Sequence, residues 1–357
     1  MANIAQTAGG VSTEGASRCA LVGFGRIGRT ALRIALQKNV FVPRVVADIE
    51  DAATLGALFS VDTSYGRWPE SVSSARDCLS IGAREIPYLD VSRGVPDWAA
   101  LGVELVIDCT GGATTRAGAR THLERGARRV LVSAPGRSLD DCDAVLLPGI
   151  NLEKYDAERH QIVSLGNCTS HALAPLIKVF LDNFGIKAGF FSTVYSSTSR
   201  QTLTDQPMNE RRELRAAGDN IIPSEILPST SGAAQSLCYI WSDLKLSGRC
   251  YRVPTRAGSI VELNVLLERS TTAEEVRASF RRAANEGPSR GVLGVLEKGG
   301  SSARIVGDQH SALVDLPLVE VVSDSFVSVA AWYDNEYAFG SRLVEVAARL
   351  LLPVEQA

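Results

Sequence analysis

Residues 19 to 37 read CALVGFGRIGRTALRIALQ: an apolar run, a glycine-rich turn, then apolar residues at helical spacing. The stretch predicts a strand, a tight turn and a helix in direct succession. Gly23, Gly25 and Gly28 fall at the junction as GxGxxG, with Arg26 and Ile27 between the last two. Glycines there let the backbone turn sharply and approach a ligand, while the helix start offers unpaired N–H groups to a pyrophosphate. The next apolar run, FVPRVVAD at 41 to 48, ends on Asp48. A carboxylate at the end of a second strand accepts both ribose hydroxyls and repels a 2′-phosphate, so the expected cofactor is NAD rather than NADP.

The same alternation continues downstream. DAATLGALFS reads as a helix, VELVIDCTGG as a strand, TTRAGARTHLERGA as a helix and RRVLVSAPG as a strand. Alternating elements of this kind pair in parallel through right-handed crossovers. In a doubly wound sheet the carboxyl ends of the strands line the ligand crevice, which makes Thr110 and Gly111 of CTG and Ser133 of SAP candidate cofactor contacts. The alternation breaks after Pro148. Beyond it FFSTVYSST, SGRCYRVP, SIVELNVLLE and SFVSVAAWYD have strand character, and TTAEEVRASFRRAANEG and SRLVEVAARLLL read as helices. The expected class is α/β: a Rossmann doubly wound parallel sheet, then an α+β domain with a mostly antiparallel sheet.

Composition narrows the partners. A chain of 357 residues suits two domains, and 45% hydrophobic with 22% charged residues describes a globular protein. A formal net charge of -3 provides no field to hold a polyanion, which argues against nucleic acid. No run of eighteen apolar residues occurs, so no membrane association is expected. The opening MANIAQTAGGVSTEGAS, residues 1 to 17, is small and polar and reads as a disordered tail. Seven cysteines without a CxxC pair or zinc-like spacing predict no metal site and a reduced, cytoplasmic setting.

Cys168 follows a predicted strand and opens a predicted helix in SLGNCTSHALAPL. A thiol at a helix start has its thiolate stabilised by the helix dipole and free N–H groups, the setting that makes cysteine nucleophilic near neutral pH. A lone cysteine is also commonly buried filler, so its context decides. That context resembles the glyceraldehyde-3-phosphate dehydrogenase family, which includes erythrose-4-phosphate dehydrogenases. The motifs run in order: GFGRIGR at 23 to 29, CTG at 109 to 111, SAP at 133 to 135, NLEKYD at 151 to 156, CTS and LAPL around 168 to 176, NIIP at 220 to 223, SGAA at 231 to 234, YRVPT at 251 to 255 and WYDNEY at 332 to 337.

The resemblance implies an NAD-binding domain over 18–167, a catalytic domain over 168–332, a C-terminal helix over 333–357 packing back on the first domain, and a homotetramer. It implies that Cys168 attacks an aldehyde to give a hemithioacetal, from which hydride passes to the nicotinamide to leave a thioester. Asn335 matches the residue that holds the nicotinamide carboxamide. Thr169, Ser231 and Gly232 match the site of the attacking inorganic phosphate. Thr198 and Arg252 match contacts to the substrate's phosphate, a group that a guanidinium fork suits.

Four positions depart from the family pattern. The family's general base is a histidine in a TTVH segment; here the segment reads STVY and Tyr195 stands in that place. A phenol with an ordinary pKa near 10 is protonated at neutral pH and is no ready base. Asn167 replaces a serine before the cysteine, and His171 replaces an asparagine after it. One helical turn separates Cys168 from His171, so His171 is a candidate relocated base; the competing reading is a histidine packed within the fold. Arg200 replaces a threonine-like residue in the substrate-phosphate loop, and SEILPST is inserted after NIIP. The expected function is NAD-dependent oxidation of a phosphorylated or otherwise anionic aldehyde, with substrate or acyl acceptor open to change. The alternative is an NAD-binding homologue with little turnover, serving a regulatory or binding role.

Overall fold

The computed structural model describes residues 17–196, 202–207, 214–224 and 232–352. The expected N-terminal tail, apart from Ser17, and three candidate site residues, Thr198, Arg200 and Ser231, lie outside them, as does nearly all of the SEILPST insertion.

The chain divides into two compact units. The first takes the residues through Leu146, Asn151–Gly166, and the C-terminal segment from Gly340; the second takes Leu147–Ile150 and Asn167–Phe339. In the first unit a nine-stranded sheet runs in the order Ala144–Val145, Ile162–Ser164, Arg129–Val132, Leu105–Asp108, Ser17–Val22, Pro43–Asp48, Arg84–Asp90, Cys78–Ile81, Val72–Ala75. Every pairing from the first edge to Arg84–Asp90 is parallel. The last two strands join antiparallel, a hairpin extension that the alternation of strands and helices did not announce. Ser17–Val22 sits between Pro43–Asp48 and Leu105–Asp108, so strand order reverses at its carboxyl end. That reversal opens a crevice for a ligand, and Gly23 begins there.

The C-terminal helix Tyr337–Leu351 starts after Asp334, whose carboxylate accepts the N–H groups of Glu336 and Tyr337 at 3.0 and 2.9 Å. From Gly340 on it is packed within the first unit: Arg129 Nη1 donates to the Leu350 carbonyl at 3.0 Å, and Gly340 abuts Ile34 and Thr30.

The second unit carries a mixed, mostly antiparallel sheet in the order Ile222–Ser224, Leu246–Val253, Ile186–Ser196, Ser259–Leu267, Phe326–Tyr333, Ala312–Asp315, Leu293–Leu296, with Glu320–Ser323 added on Phe326–Tyr333. Strand Ser259–Leu267 alternates buried with more exposed residues along its length, the period-2 pattern of a strand with one packed face. The pairing that matters for chemistry is one of the few parallel ones, between Ile186–Ser196 and Leu246–Val253. Helix Cys168–Asn183 packs on this sheet and is buried over most of its length.

Candidate active site

Backbone shape dominates the glycine turn. Gly23 has φ of +86°, and a Cβ there would meet Thr110 N at 2.6 Å. A Cβ on Gly28 would meet the Gly23 carbonyl oxygen at 2.1 Å, so only hydrogen fits between turn and helix. Gly25 differs: nothing lies within 4 Å of its would-be Cβ, and it is the N-cap of helix Arg26–Gln37 without a side-chain cap. A helix N-terminus with open space before it fits a pyrophosphate. Gly111, with φ of +71°, faces open space as well.

The side chains around the turn mostly stabilise the turn itself. Asp48 accepts the Phe24 N–H through Oδ2, and the Ile49 and Glu50 N–H groups through Oδ1 at 2.7 and 3.1 Å, so it locks the loop. The Arg26 side chain pairs with Asp62 at 2.7 Å, and Ile27 follows it in the first turn of the helix. Thr110 donates through N and Oγ1 to Asp108 Oδ1 at 3.0 and 2.7 Å, and the Ser133 hydroxyl bonds the Cys109 thiol. Between the strand ends lies a cavity of about 250 Å³ whose lining includes Val22, Val95, Trp98, Asp108, Thr110 and His122. Its apolar wall and few polar atoms suit a flat heterocycle. Trp98 Nε1 donates to His122 Nδ1 at 3.1 Å, which leaves His122 Nε2 to donate to Asp108, so this histidine serves the wall.

In the second unit Asn167 caps helix Cys168–Asn183: its side chain accepts the Ser170 N–H at 2.8 Å, while Ser170 Oγ accepts the Asn167 N–H at 3.0 Å. The serine-to-asparagine departure therefore makes a strong cap, and it places half-buried Cys168 at the first helical position. The sequence-based expectation of a thiolate ready near neutral pH needs correcting here. Burial pushes the Cys168 thiol up, and the Thr169 hydroxyl, the Arg252 charge and the helix-start N–H groups offset only part of that.

Strand register brings the remaining groups together. Thr193 pairs with Cys250 and Tyr195 with Arg252, and residues paired or two apart share one sheet face. The Arg252 guanidinium lies over the Tyr195 ring, 4.1 Å from its centroid, and Arg252 Nη1 donates to the Ser196 carbonyl at 3.2 Å. The Tyr195 hydroxyl donates to the thiol of buried Cys250. Burial and the neighbouring thiols hold the Tyr195 phenol protonated far beyond its ordinary range, and burial pushes Cys250 up to about 12. On the same face Tyr333, buried, has its hydroxyl 2.8 Å from Thr193 Oγ1 and 3.3 Å from Thr169 Oγ1, and Thr193 donates on to the Ile260 carbonyl.

Cys250, Thr193 and Tyr333 escaped the sequence reading. The signal was present in CYRVP, STVY and WYDNEY, where each lies two residues from a chosen one, but only the folded sheet gives it meaning. His171 is buried with its ring edge-on to Phe339, centroids 5.6 Å apart. Asn335 is buried, and its Oδ1 accepts from Ser196 and Ser259 at 3.4 and 3.3 Å. Gly232 opens helix Gly232–Ile240. Among the described residues no cluster of His, Cys, Asp or Glu could hold a metal ion, and no helix is long and apolar enough to cross a membrane.

Comparison with known proteins agrees with this arrangement. The family description "Glyceraldehyde 3-phosphate dehydrogenase, NAD binding domain" matches residues 17–116, and "Glyceraldehyde 3-phosphate dehydrogenase, C-terminal domain" matches residues 167–335. The chain is 41% identical to a glyceraldehyde-3-phosphate dehydrogenase of Kitasatospora aureofaciens and 38% identical to one of Streptomyces coelicolor. Each match covers 92% of this chain and 97% of the relative. Glyceraldehyde-3-phosphate dehydrogenase 1 of Bacillus subtilis is 38% identical over 91% of this chain and 96% of its own. The chain therefore belongs to the glyceraldehyde-3-phosphate dehydrogenase family, NAD-dependent oxidoreductases with a Rossmann domain and a catalytic α+β domain.

Proposed function

We propose that this protein oxidises a phosphorylated or otherwise anionic aldehyde, with glyceraldehyde 3-phosphate as the reference substrate, through a hemithioacetal and then a thioester on Cys168. The observation that carries this reading is a cysteine at the start of a long helix, under the influence of a guanidinium that has no carboxylate partner among the described residues. The Cys168 thiol loses its proton to solvent. Its sulfur bonds to the aldehyde carbon, and the carbonyl electron pair becomes an oxyanion. NAD, when bound, supplies the hydride acceptor, and Asn335 is the amide assigned to its carboxamide.

Tyr195, held protonated with its hydroxyl donated to Cys250, acts at this centre through its ring and not as a base. In the acyl-transfer half, inorganic phosphate bonds to the acyl carbon as the carbon–sulfur bond breaks and Cys168 departs as thiolate. Thr169, Ser231 and Gly232 are assigned to that phosphate, and Thr198, Arg200 and Arg252 to the anionic end of the substrate. Water is the competing acceptor. The working form is a cytoplasmic homotetramer, which light scattering on purified protein tests directly.

A second reading is favoured by one observation: at the position of the family's imidazole stands Tyr195, a phenol that burial keeps protonated. On it the chain binds NAD and serves a regulatory or binding role. An aldehyde panel followed by NADH formation, with and without phosphate and beside Tyr195→His, separates the two. Turnover confined to anionic aldehydes supports oxidation. Intact NAD binding with no NADH from any aldehyde at any pH supports the second reading. Ordinary neutral-pH rates on glyceraldehyde 3-phosphate, with no gain from Tyr195→His, would refute an altered site.

A further inference from the structure

Every other guanidinium–ring contact among the described residues is 5.4 Å or longer, against 4.1 Å for Arg252 on Tyr195. The two residues are register partners on adjacent parallel strands, which fixes ring and guanidinium on one face. Arg252 makes no ion pair with a described carboxylate, and its Nε is buried without a hydrogen-bond partner among the described residues. A partly buried cation left uncompensated is costly and draws an anion to it. Tyr195 in turn is tied at its hydroxyl to Cys250, so the ring is held at both its face and its end.

We propose that Tyr195 is the platform that holds the Arg252 guanidinium towards Cys168, and that in the free protein, before the anionic end of a substrate engages it, this guanidinium is the counter-ion of the Cys168 thiolate in place of an imidazolium. Cys250 is the positioning residue that anchors the platform. The proposal rests on Cys168 being the nucleophile of the reading above. The ionisable groups around Cys168 are Arg252, Tyr195 and Cys250 on the paired strands and Tyr333 on a neighbouring strand; His171 follows one turn along its own helix, against Phe339. Arg252 is the cation among these groups. Burial pushes Tyr195, Cys250 and Tyr333 up, which favours their neutral forms. A thiolate stabilised this way needs no base within the site, since its proton leaves to solvent.

The test needs no substrate. Iodoacetamide alkylation of Cys168 in the full chain is followed against pH, with the label located by peptide mass. Arg252→Met is expected to move the midpoint upward by about one unit, which slows alkylation at pH 7 about tenfold. Arg252→Lys restores part of that shift. Tyr195→Leu, which removes the platform, shifts the midpoint in the same direction, and it adds nothing once Arg252→Met is present. Tyr195→Phe and Cys250→Ala, which keep the ring but cut its anchor, give smaller upward shifts.

Thermal unfolding of each variant accompanies the titration. If Arg252→Met does not fold, Tyr195→Leu carries the test. An unmoved midpoint in Arg252→Met, or in Tyr195→Leu in that case, overturns the proposal. So does additivity of Tyr195→Leu with Arg252→Met. Failure of the aldehyde panel with these shifts present would sink the dehydrogenase reading and leave this one standing.

Discussion

The glycine turn of the first unit and the thiol face of the second reach function by different means. At the turn the useful groups are backbone atoms: a helix start ahead of Gly25, a positive φ at Gly23, and an absence of Cβ at Gly28. At the thiol face they are side chains drawn from four separate elements: Cys168 and Thr169, Thr193 and Tyr195, Cys250 and Arg252, and Tyr333. A backbone device tolerates no change of residue type at its tight positions and is indifferent to the chemistry of its neighbours. A side-chain device can keep its frame while one member is exchanged.

The sharpest break of this contrast is Cys168→Ser, expected to remove aldehyde-dependent NADH formation entirely while NAD binding, measured by calorimetry, stays unchanged. Loss of both together would mean that the two regions are not separable. Gly28→Ala comes next. Its methyl group would press on the Gly23 carbonyl, so we expect roughly 3 kcal/mol of destabilisation and loss of NAD binding. Gly25→Ala enters open space, should leave the melting temperature unchanged, and should weaken NAD by about tenfold through crowding of the pyrophosphate alone. Equal destabilisation by the two alanines would argue against the turn geometry.

Tyr195→His restores an imidazole to the side-chain region and should raise turnover at pH 7 by about 10²-fold, the lower end for a positioned base. No gain would show that the position does not face the reacting thiol. The pH profile gives a smaller but clear signature. The thiolate is the reactive form, and burial raises the pH at which it appears, so kcat/KM should fall as pH drops and still be rising above about 8.5. A plateau from neutral pH upward would mean that the thiol is already ionised. His171→Gln should change least: alkylation of Cys168 unaltered, with a modest drop in melting temperature from the lost contact with Phe339. A large fall in the alkylation rate would instead make His171 the relocated base.

Local rules carried the first unit furthest. GxGxxG between an apolar run and a helical pattern, with Asp48 closing the next strand, is a short-range signal that needs no tertiary knowledge. The hairpin extension through Val72–Ala75 and Cys78–Ile81 was missed because its strands are only four residues each, and they join an edge that alternation of strands and helices does not describe. Asp48 was legible as a strand-end carboxylate, but its bond to the Phe24 N–H was not, since that depends on how the turn folds over the strand end. In the second unit Cys168 was legible from its place before a helix, whereas the balance of its ionisation was not.

The sequence by itself determined the family, the order of elements and the glycine turn, and it singled out Cys168 and Tyr195, because each is written in residues a few positions apart. Only the tertiary structure decided what surrounds Tyr195. Tyr195, Cys250 and Arg252 are far apart along the chain, and parallel pairing of two strands sets them on one face with the guanidinium over the ring. Burial, a property of the assembled sheet and helix, then pushes the thiols and the phenol upward together, and the Arg252 charge offsets part of that rise at Cys168.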